Sequence, residues 1–467
     1  MQELLVPDTT RVKNATKFVT QCLKNAESVK VLLKIVQCHQ NAALRQMSAV
    51  FIRKKINSYW KQMNETMRNQ AKALLLTRLR QDPSKTVRRA IAGAVAAVGK
   101  FQVSNGGKCN DILQHTITAS QSQNAMDREM SMLLFYFLAS EVEDSLSEHI
   151  NQLRDLFVRL MKDNESAVRI MALKATAQVL EHVSATEHGI AFSGVIPTML
   201  KSVNFAVKSG EDGAAVLAFD LMCTLAEADG LLLLNPYITP VMQLILETAS
   251  QDDCVAETRN SALMVFAALV KSKPRAMQKY PHIQQAVRLL VKLICLGEEE
   301  EASERAAKTA AAIAAGVQIS GSPSSGTAQY CLDQLALHLP NNIVFTPTVN
   351  AVMQCVKSSN CHMRAGSLVA LSIIAEGTIR CIREHLHKLM PVVIAALKDR
   401  VSNVRRGACV CLGQWIEHMG AVGMIEHHSS VLPPILNLIG DNDPSVRGVR
   451  ARSARISINS LFHVSIM

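Results

Sequence analysis

At 467 residues the chain is long enough for roughly three globular domains of ~150 residues each. Apolar residues make up 48% but aromatics only 4%, so the core must be built largely from small and unbranched side chains, which suit closely packed helices. Twelve scattered cysteines without one C-x-x-C pair argue against a disulfide framework or a zinc ribbon, and no uninterrupted apolar run approaches the ~18 residues of a membrane-spanning helix. The net charge of +11 is concentrated at one end: residues 1–100 carry 19 Lys and Arg against 5 Asp and Glu.

Taken in chain order, the predicted helices come in pairs, A then B. After a stub of helix A at Met1–Val6, B helices are predicted near 8–24, 43–60, 85–100, 126–140, 166–183, 212–229, 254–272, 328–339, 361–377, 402–419 and from 444 onward. Most of their starts carry a Val-Arg pair or a close variant: Leu44-Arg45, Val87-Arg88, Val168-Arg169, Thr258-Arg259, Met363-Arg364, Val404-Arg405 and Val446-Arg447. Successive arginines lie 43, 81, 90, 105, 41 and 42 residues apart. A period of ~40–47 residues marks HEAT or armadillo-type arrays. The predicted fold is therefore all-α, a right-handed superhelical solenoid of about eleven HEAT repeats.

Asp82, Asp163, Asp253, Asp399 and Asp441 stand five residues before the valine position. An aspartate there can accept hydrogen bonds from the orphan amides opening helix B. It can also pair with an arginine of the adjacent repeat, so the ladder of these aspartates with Arg88, Arg169, Arg259, Arg405 and Arg447 is assigned a structural role. Pro197, Pro236, Pro281, Pro347, Pro391 and Pro433 are expected at or near the starts of A helices, where a missing N–H costs nothing.

Only the 105-residue step is too long, and it implies an insertion in the eighth pair. Helix A there is predicted to end near Gly297. An acidic loop follows (Glu298, Glu299, Glu300, Glu301 and Glu304), then the Ala-rich stretch Arg305–Ala315 and a flexible SGSPSSG loop at 320–326. The expected organisation is 1–100, three basic pairs; 101–297, pairs four to the first helix of the eighth; 298–327, the insertion; 328–455, the remaining pairs; and 456–467, an atypical tail. The basic, poorly periodic GVRARSARISINSLFHVSIM has no capping repeat after it, so the chain reads as the N-terminal part of a longer protein.

Constellations that carry chemistry are weak. Asn105-Gly106-Gly107-Lys108 lacks the spacing of a phosphate loop, and neither His427-His428 nor Cys361-His362 has partners at zinc-ligand spacing. No nucleophile and base occupy a recognisable elbow, so the sequence predicts no enzyme, no cofactor and no metal site. Arg53-Lys54-Lys55 leads to Tyr59 and Trp60. Trp60 is expected as an apolar anchor beneath the turn. The basic trio is either a solvated helix end or a docking patch for an acidic surface.

PDTTRVKNATKFVTQCLKN, LRQMSAVFIRKKINSYWKQM and the helix Met67–Arg80 resemble the N-terminal domain of importin-β-type nuclear transport receptors. ALHLP (336–340), MRAGSLVAL (363–371) and VRRGACVCLGQW (404–415) are similar to the importin-4 subgroup. The resemblance implies a receptor that shuttles between cytoplasm and nucleus. It would carry basic protein cargo, such as ribosomal proteins or histones, and release it when the small GTPase Ran binds in its GTP form. Ran is expected on the N-terminal B helices at Arg45, Arg53, Lys54, Lys55, Arg88 and Arg89, and at the acidic loop. Phe-Gly nucleoporins are expected between A helices. No membrane partner is expected and nucleic acid is the disfavoured reading. Two features depart from the family, whose members are about twice this length and usually acidic. The alternative is a static HEAT scaffold such as a phosphatase regulatory subunit, which would have more uniform repeats and no acidic insertion.

Overall fold

The computed structural model describes residues 2–25, 27–141, 150–184, 187–227, 231–312, 324–424, 427–443 and 446–447. The predicted 456–467 tail and the SGSP part of the eighth-pair loop lie outside them. Every regular element among the described residues is helical, as an all-α solenoid requires, and the helices fall into two compact units. One comprises residues 1–221 with 229–237, the other 222–228 with 238–467.

In the first unit the B helices begin where the arginine signal places them. The elements are α1 (Thr9–Cys22), α2 (Ser28–Cys38), α3 (Ala42–Tyr59), α4 (Glu65–Gln81), α5 (Lys85–Ser104), α6 (Asn110–Ala119), α7 (Ala125–Leu138), α8 (Ile150–Leu160), α9 (Ser166–Val183), the short α10 (Glu187–Phe192) and α11 (Ile196–Lys208). Helix α3 packs on α5, α5 on α7 and α7 on α9, while α2 meets α4 in the other row. The composition of α5 explains its place. Val87, Ile91, Ala92, Ala94, Val95 and Val98 are all buried, and a helix apolar on most sides must be covered on most sides. By contrast α8 buries a single stripe, Leu153, Leu156, Phe157 and Leu160. Asp8, Asn41 and Asn124 cap α1, α3 and α7 through amides two or three residues on.

His188–Lys208 is apolar and long enough to cross a membrane. It is broken by a 3-10 turn at Ser193–Val195, and Phe192, Val195, Ile196 and Met199 are fully buried within the unit. Its apolarity is that of a core element.

Helix α12 (Asp212–Glu227) precedes α13 (Leu231–Leu234), α14 (Ile238–Ser250), α15 (Ala256–Ser272), α16 (Pro274–Gln278) and α17 (Ile283–Ala312). Then come α18 (Ser324–His338), α19 (Asn341–Cys355), α20 (Cys361–Ile373), α21 (Ala375–Glu384), α22 (Leu386–Ala396), α23 (Ser402–Met424) and α24 (His428–Asn437). The expected acidic loop is not a loop. Helix α17 runs through Gly297 and the glutamates to Ala312, because Glu and Ala are strong helix formers and one glycine does not outweigh the eleven of them at 298–312. Pro347, Pro391 and Pro433 lie inside α19, α22 and α24 rather than at their starts, each removing one helical hydrogen bond. Pro197 does sit in the first turn of α11.

The long helix also changes the packing. Helix α17 lies against both α18 and α20, and α20 against α23. The crossing with α20 is close: a Cβ on Gly366 would stand 2.5 Å from the Cys295 Cα. Only glycine permits that approach.

Candidate functional site

The Asp–Arg ladder is a set of ion pairs between successive repeats. Arg45 Nε and Nη2 donate to the Asp82 carboxylate at 2.8 and 3.0 Å. Arg128 holds Asp163 at 2.7 and 2.9 Å, Arg364 holds Asp399 at 2.9 and 3.1 Å, and Arg405 holds Asp441 at 2.7 and 2.8 Å. In each case Nη1 turns back to donate to carbonyls six and five residues earlier, His39 and Gln40 for the first arginine. Each aspartate also accepts the amide two residues on, at Ser84, Glu165, Val401 and Asp443. One carboxylate thus closes the turn of its own repeat and takes the fork of the previous one, the bidentate geometry that makes Arg–carboxylate pairs strong.

Electrostatics follow from that geometry. Burial pushes the Asp82, Asp163 and Asp399 carboxyls up. The arginine forks and the turn amides outweigh it, and all three end below the usual aspartate range. For Asp441 the Arg405 hydrogen bonds are the largest influence, with the same net direction.

Two residues expected at a partner interface belong to this ladder, where Arg88 was also expected. Arg45 is buried against Asp82. Arg88 is buried with Nη1 on Asp127 at 2.8 Å and Nε on the Asp82 carbonyl. Buried and paired, neither can meet a partner. Asp253, expected as a rung, is exposed. The preceding repeat has Ala215 where the arginine would stand. Arg259 donates Nη2 to the Gln251 carbonyl at 2.7 Å. Arg447 keeps its carbonyl contacts to Asp441 and Asn442.

One rung pair was missed in the sequence. In the fourth repeat Ser122 holds the aspartate position and Asp127 the valine position, so Asp127-Arg128 hides the Val-Arg signal. The Ser122 hydroxyl donates to Asp127 at 2.9 Å and accepts the Asn124 amide at 3.1 Å, rebuilding the turn with a different residue. The 81-residue gap between Arg88 and Arg169 was the available clue.

What remains of the predicted basic site is a solvent face on α3 and α5. Arg53, Lys54 and Arg89 are exposed, while Lys55 is half-buried with its ammonium 5.8 Å from the Tyr59 ring centroid. Arg53 lies across α5, its Cδ 3.1 Å from where a Gly93 Cβ would be, one turn from Arg89. Nearby Lys85 is neutralised by the buried Glu129 at 2.7 Å. Trp60 is buried, as an anchor must be, and Arg68 Nε donates to its carbonyl at 2.7 Å.

The acidic run divides. Glu298 is buried and accepts from Arg406 Nη2 at 2.9 Å, so it cannot serve as a free surface charge. Glu299, Glu300, Glu301 and Glu304 continue along α17, with side chains outside the described residues.

Comparison with known proteins places this architecture. Residues 15–81 match the importin-β N-terminal domain, 83–244 the IPO5-like TPR repeats, and 362–455 the Vacuolar 14 Fab1-binding region. These matches support an importin-β family member. Within that family, the chain is most like the importin-4 group. It is 24% identical over 462 residues to the probable importin subunit beta-4 of Schizosaccharomyces pombe, covering 98% of this chain and 41% of that protein. It is 23% identical over 446 residues to importin-4 of Mus musculus, covering 93% and 40%. The chain therefore spans about two-fifths of the length of these relatives. In fold it matches Kap121p crystallised with RanGTP, with a TM-score of 0.78, 19% identity, and coverage of 98% of this chain and 44% of that one. A Kap121p structure bound to Nup53p matches equally well, with a TM-score of 0.78, 19% identity and the same coverage. Members of this family are transport receptors, not enzymes.

Proposed function

We propose that the chain acts in nuclear import, binding RanGTP through its N-terminal repeats and carrying basic protein cargo, such as ribosomal proteins or histones, between cytoplasm and nucleus. The observation that carries the reading is the α3–α5 face. Arg53, Lys54 and Arg89 are exposed there, with no ion pair among the described residues, and lie largely within the residues that match the importin-β N-terminal domain. The ladder beneath holds the two helices in fixed register, so the face is presented as a rigid surface. Lys55 borders it. Glu299, Glu300, Glu301 and Glu304 are the proposed acidic contact, acting by electrostatic steering and by competition with basic cargo. Phe-Gly nucleoporins would occupy grooves between A helices, in keeping with the structural likeness to Kap121p bound to Nup53p.

The test is a pull-down of the full chain with Ran locked in the GTP state, with the GDP state as control. Capture by the GTP form alone supports the reading. Equal capture or none overturns it in favour of a static scaffold.

A further inference from the structure

Arg169 is a ladder arginine whose carboxylate is missing, and it opens onto a cavity. Arg169 adopts the pose of the other ladder arginines, with Nη1 donating to the Asp163 and Asn164 carbonyls at 2.7 and 2.8 Å. The next repeat offers no aspartate at the ladder position. Its turn has Ser209 in that position and is closed by Gly210 at φ 71°, with the Glu211 amide donating to the Ala206 carbonyl. A glycine cap has replaced the aspartate cap, and the carboxylate that Arg169 would have received went with it. Arg169 Nε is buried without an acceptor. The guanidinium carbon lies 4.6 Å from the Phe205 ring centroid, and an aromatic face supplies no in-plane acceptor for the fork. Asp163 is nearby, but both its oxygens are held by Arg128.

Beside this fork is a cavity of about 420 Å³ whose lining includes Met161, Leu173 and Phe205 and the cations Lys162, Arg169 and Lys201. Both lysines are exposed. Asp163 is the only carboxylate in the lining, and Arg128 already neutralises it. The cavity thus combines a vacant planar fork, two rim cations and an apolar wall.

We propose that this cavity is a docking site for an acidic side chain of a partner polypeptide. A glutamate or aspartate of the partner takes the Arg169 fork and completes the rung in trans, while an apolar neighbour packs on Phe205. The argument for a carboxylate comes from the chain itself, since four arginines in the same pose each hold one bidentately. The site lies on α9 and α11, apart from the α3–α5 face, and stands whether or not that face binds RanGTP.

The probe is a labelled peptide alternating glutamate and leucine, with its glutamine counterpart, titrated into the full chain by fluorescence anisotropy. The glutamate peptide should bind and the glutamine peptide should not. Arg169→Lys keeps a charge but not the fork, and should weaken binding by about tenfold, the ratio that ~1.4 kcal/mol of charge-assisted hydrogen bonding gives. Lys201→Glu has no part in the ladder and should also weaken it, most at low salt. Equal binding of both peptides, or unchanged affinity in both variants, overturns the proposal. So does binding of inorganic phosphate or a single-stranded oligonucleotide that persists in Arg169→Lys while the glutamate peptide fails to bind.

Discussion

Glu298 and Arg406 are 108 residues apart in the chain, and their side chains meet at 2.9 Å, tying the long helix α17 to α23. Glu298 is almost fully buried, while the Arg406 side chain keeps 21% of its exposure. The pair fixes the packing of the helix at the start of its glutamate run.

Removing one partner of such a pair leaves an uncompensated buried charge. Arg406→Ala should therefore destabilise the second unit by about 2–4 kcal/mol, toward the lower part of the range for buried pairs because Arg406 is partly solvated. Hydrogen exchange should show the loss locally, in α17, α20 and α23. Protection equal to the parent chain in these helices would show the pair to be incidental.

The Arg45–Asp82 rung is the most buried of the set, with side chains 7% and 0% exposed. Asp82 also takes Arg78 Nη2 at 2.8 Å. Asp82→Ala should cost about 3–5 kcal/mol, and the double replacement Arg45→Met with Asp82→Leu should cost less than the aspartate loss alone. A double-mutant cycle on chemical unfolding measures this. Additive losses, with no coupling, would remove the rung from the account.

Acid should act through the same carboxylates. Asp82, Asp163, Asp399 and Asp441 are held below the aspartate range in the folded chain, so folding favours their ionised form. Their contribution is complete above the unfolded aspartate value of about 3.9 and is lost as pH falls through the lower folded values. The thermal midpoint should drop steeply below about pH 4, and the drop should be shallower in Asp399→Asn, which starts lower but has less to lose. Parallel pH profiles for the two proteins would contradict this.

Gly366→Ala places a Cβ 2.5 Å from the Cys295 Cα, against backbone that cannot swing aside. Helices α17 and α20 must separate, at a cost of about 1–3 kcal/mol typical of overpacking. Gly107→Ala, whose Cβ would meet the Gln102 carbonyl oxygen at 3.1 Å, should cost less. Thermal unfolding of the two variants makes the comparison.

Most of the fold was legible because each repeat writes the same physical need into sequence. A turn must be capped and an arginine must find its carboxylate, and those demands fix the spacing of Asp399 and Arg405. Reading failed where a different residue met the same demand. Asp127 stands in the valine position and accepts a single bond from Arg88 Nη1 there, so the Asp127-Arg128 pair hides the signal. Sequence gives charge but not the facing carboxylate, which is why Arg45 reads as a surface charge and Arg88 as both rung and interface residue. The glutamates after Gly297 were read as loop because a charge run resembles solvent, although its residues favour helix. Of the candidate interface, Arg53, Lys54 and Arg89 kept the exposure a docking face needs.

The central claim is that the α3–α5 face binds RanGTP. It is tested most directly by calorimetry of the full chain with Ran·GTP, beside the variant Arg53→Glu with Lys54→Glu and Arg89→Glu. All three residues are exposed, so the variant should keep its fold and melting temperature. The variant should lose at least tenfold in affinity, about 1.4 kcal/mol or more, and its binding should depend less on salt. A folded variant that binds Ran·GTP as tightly as the parent chain at both low and high salt would contradict it.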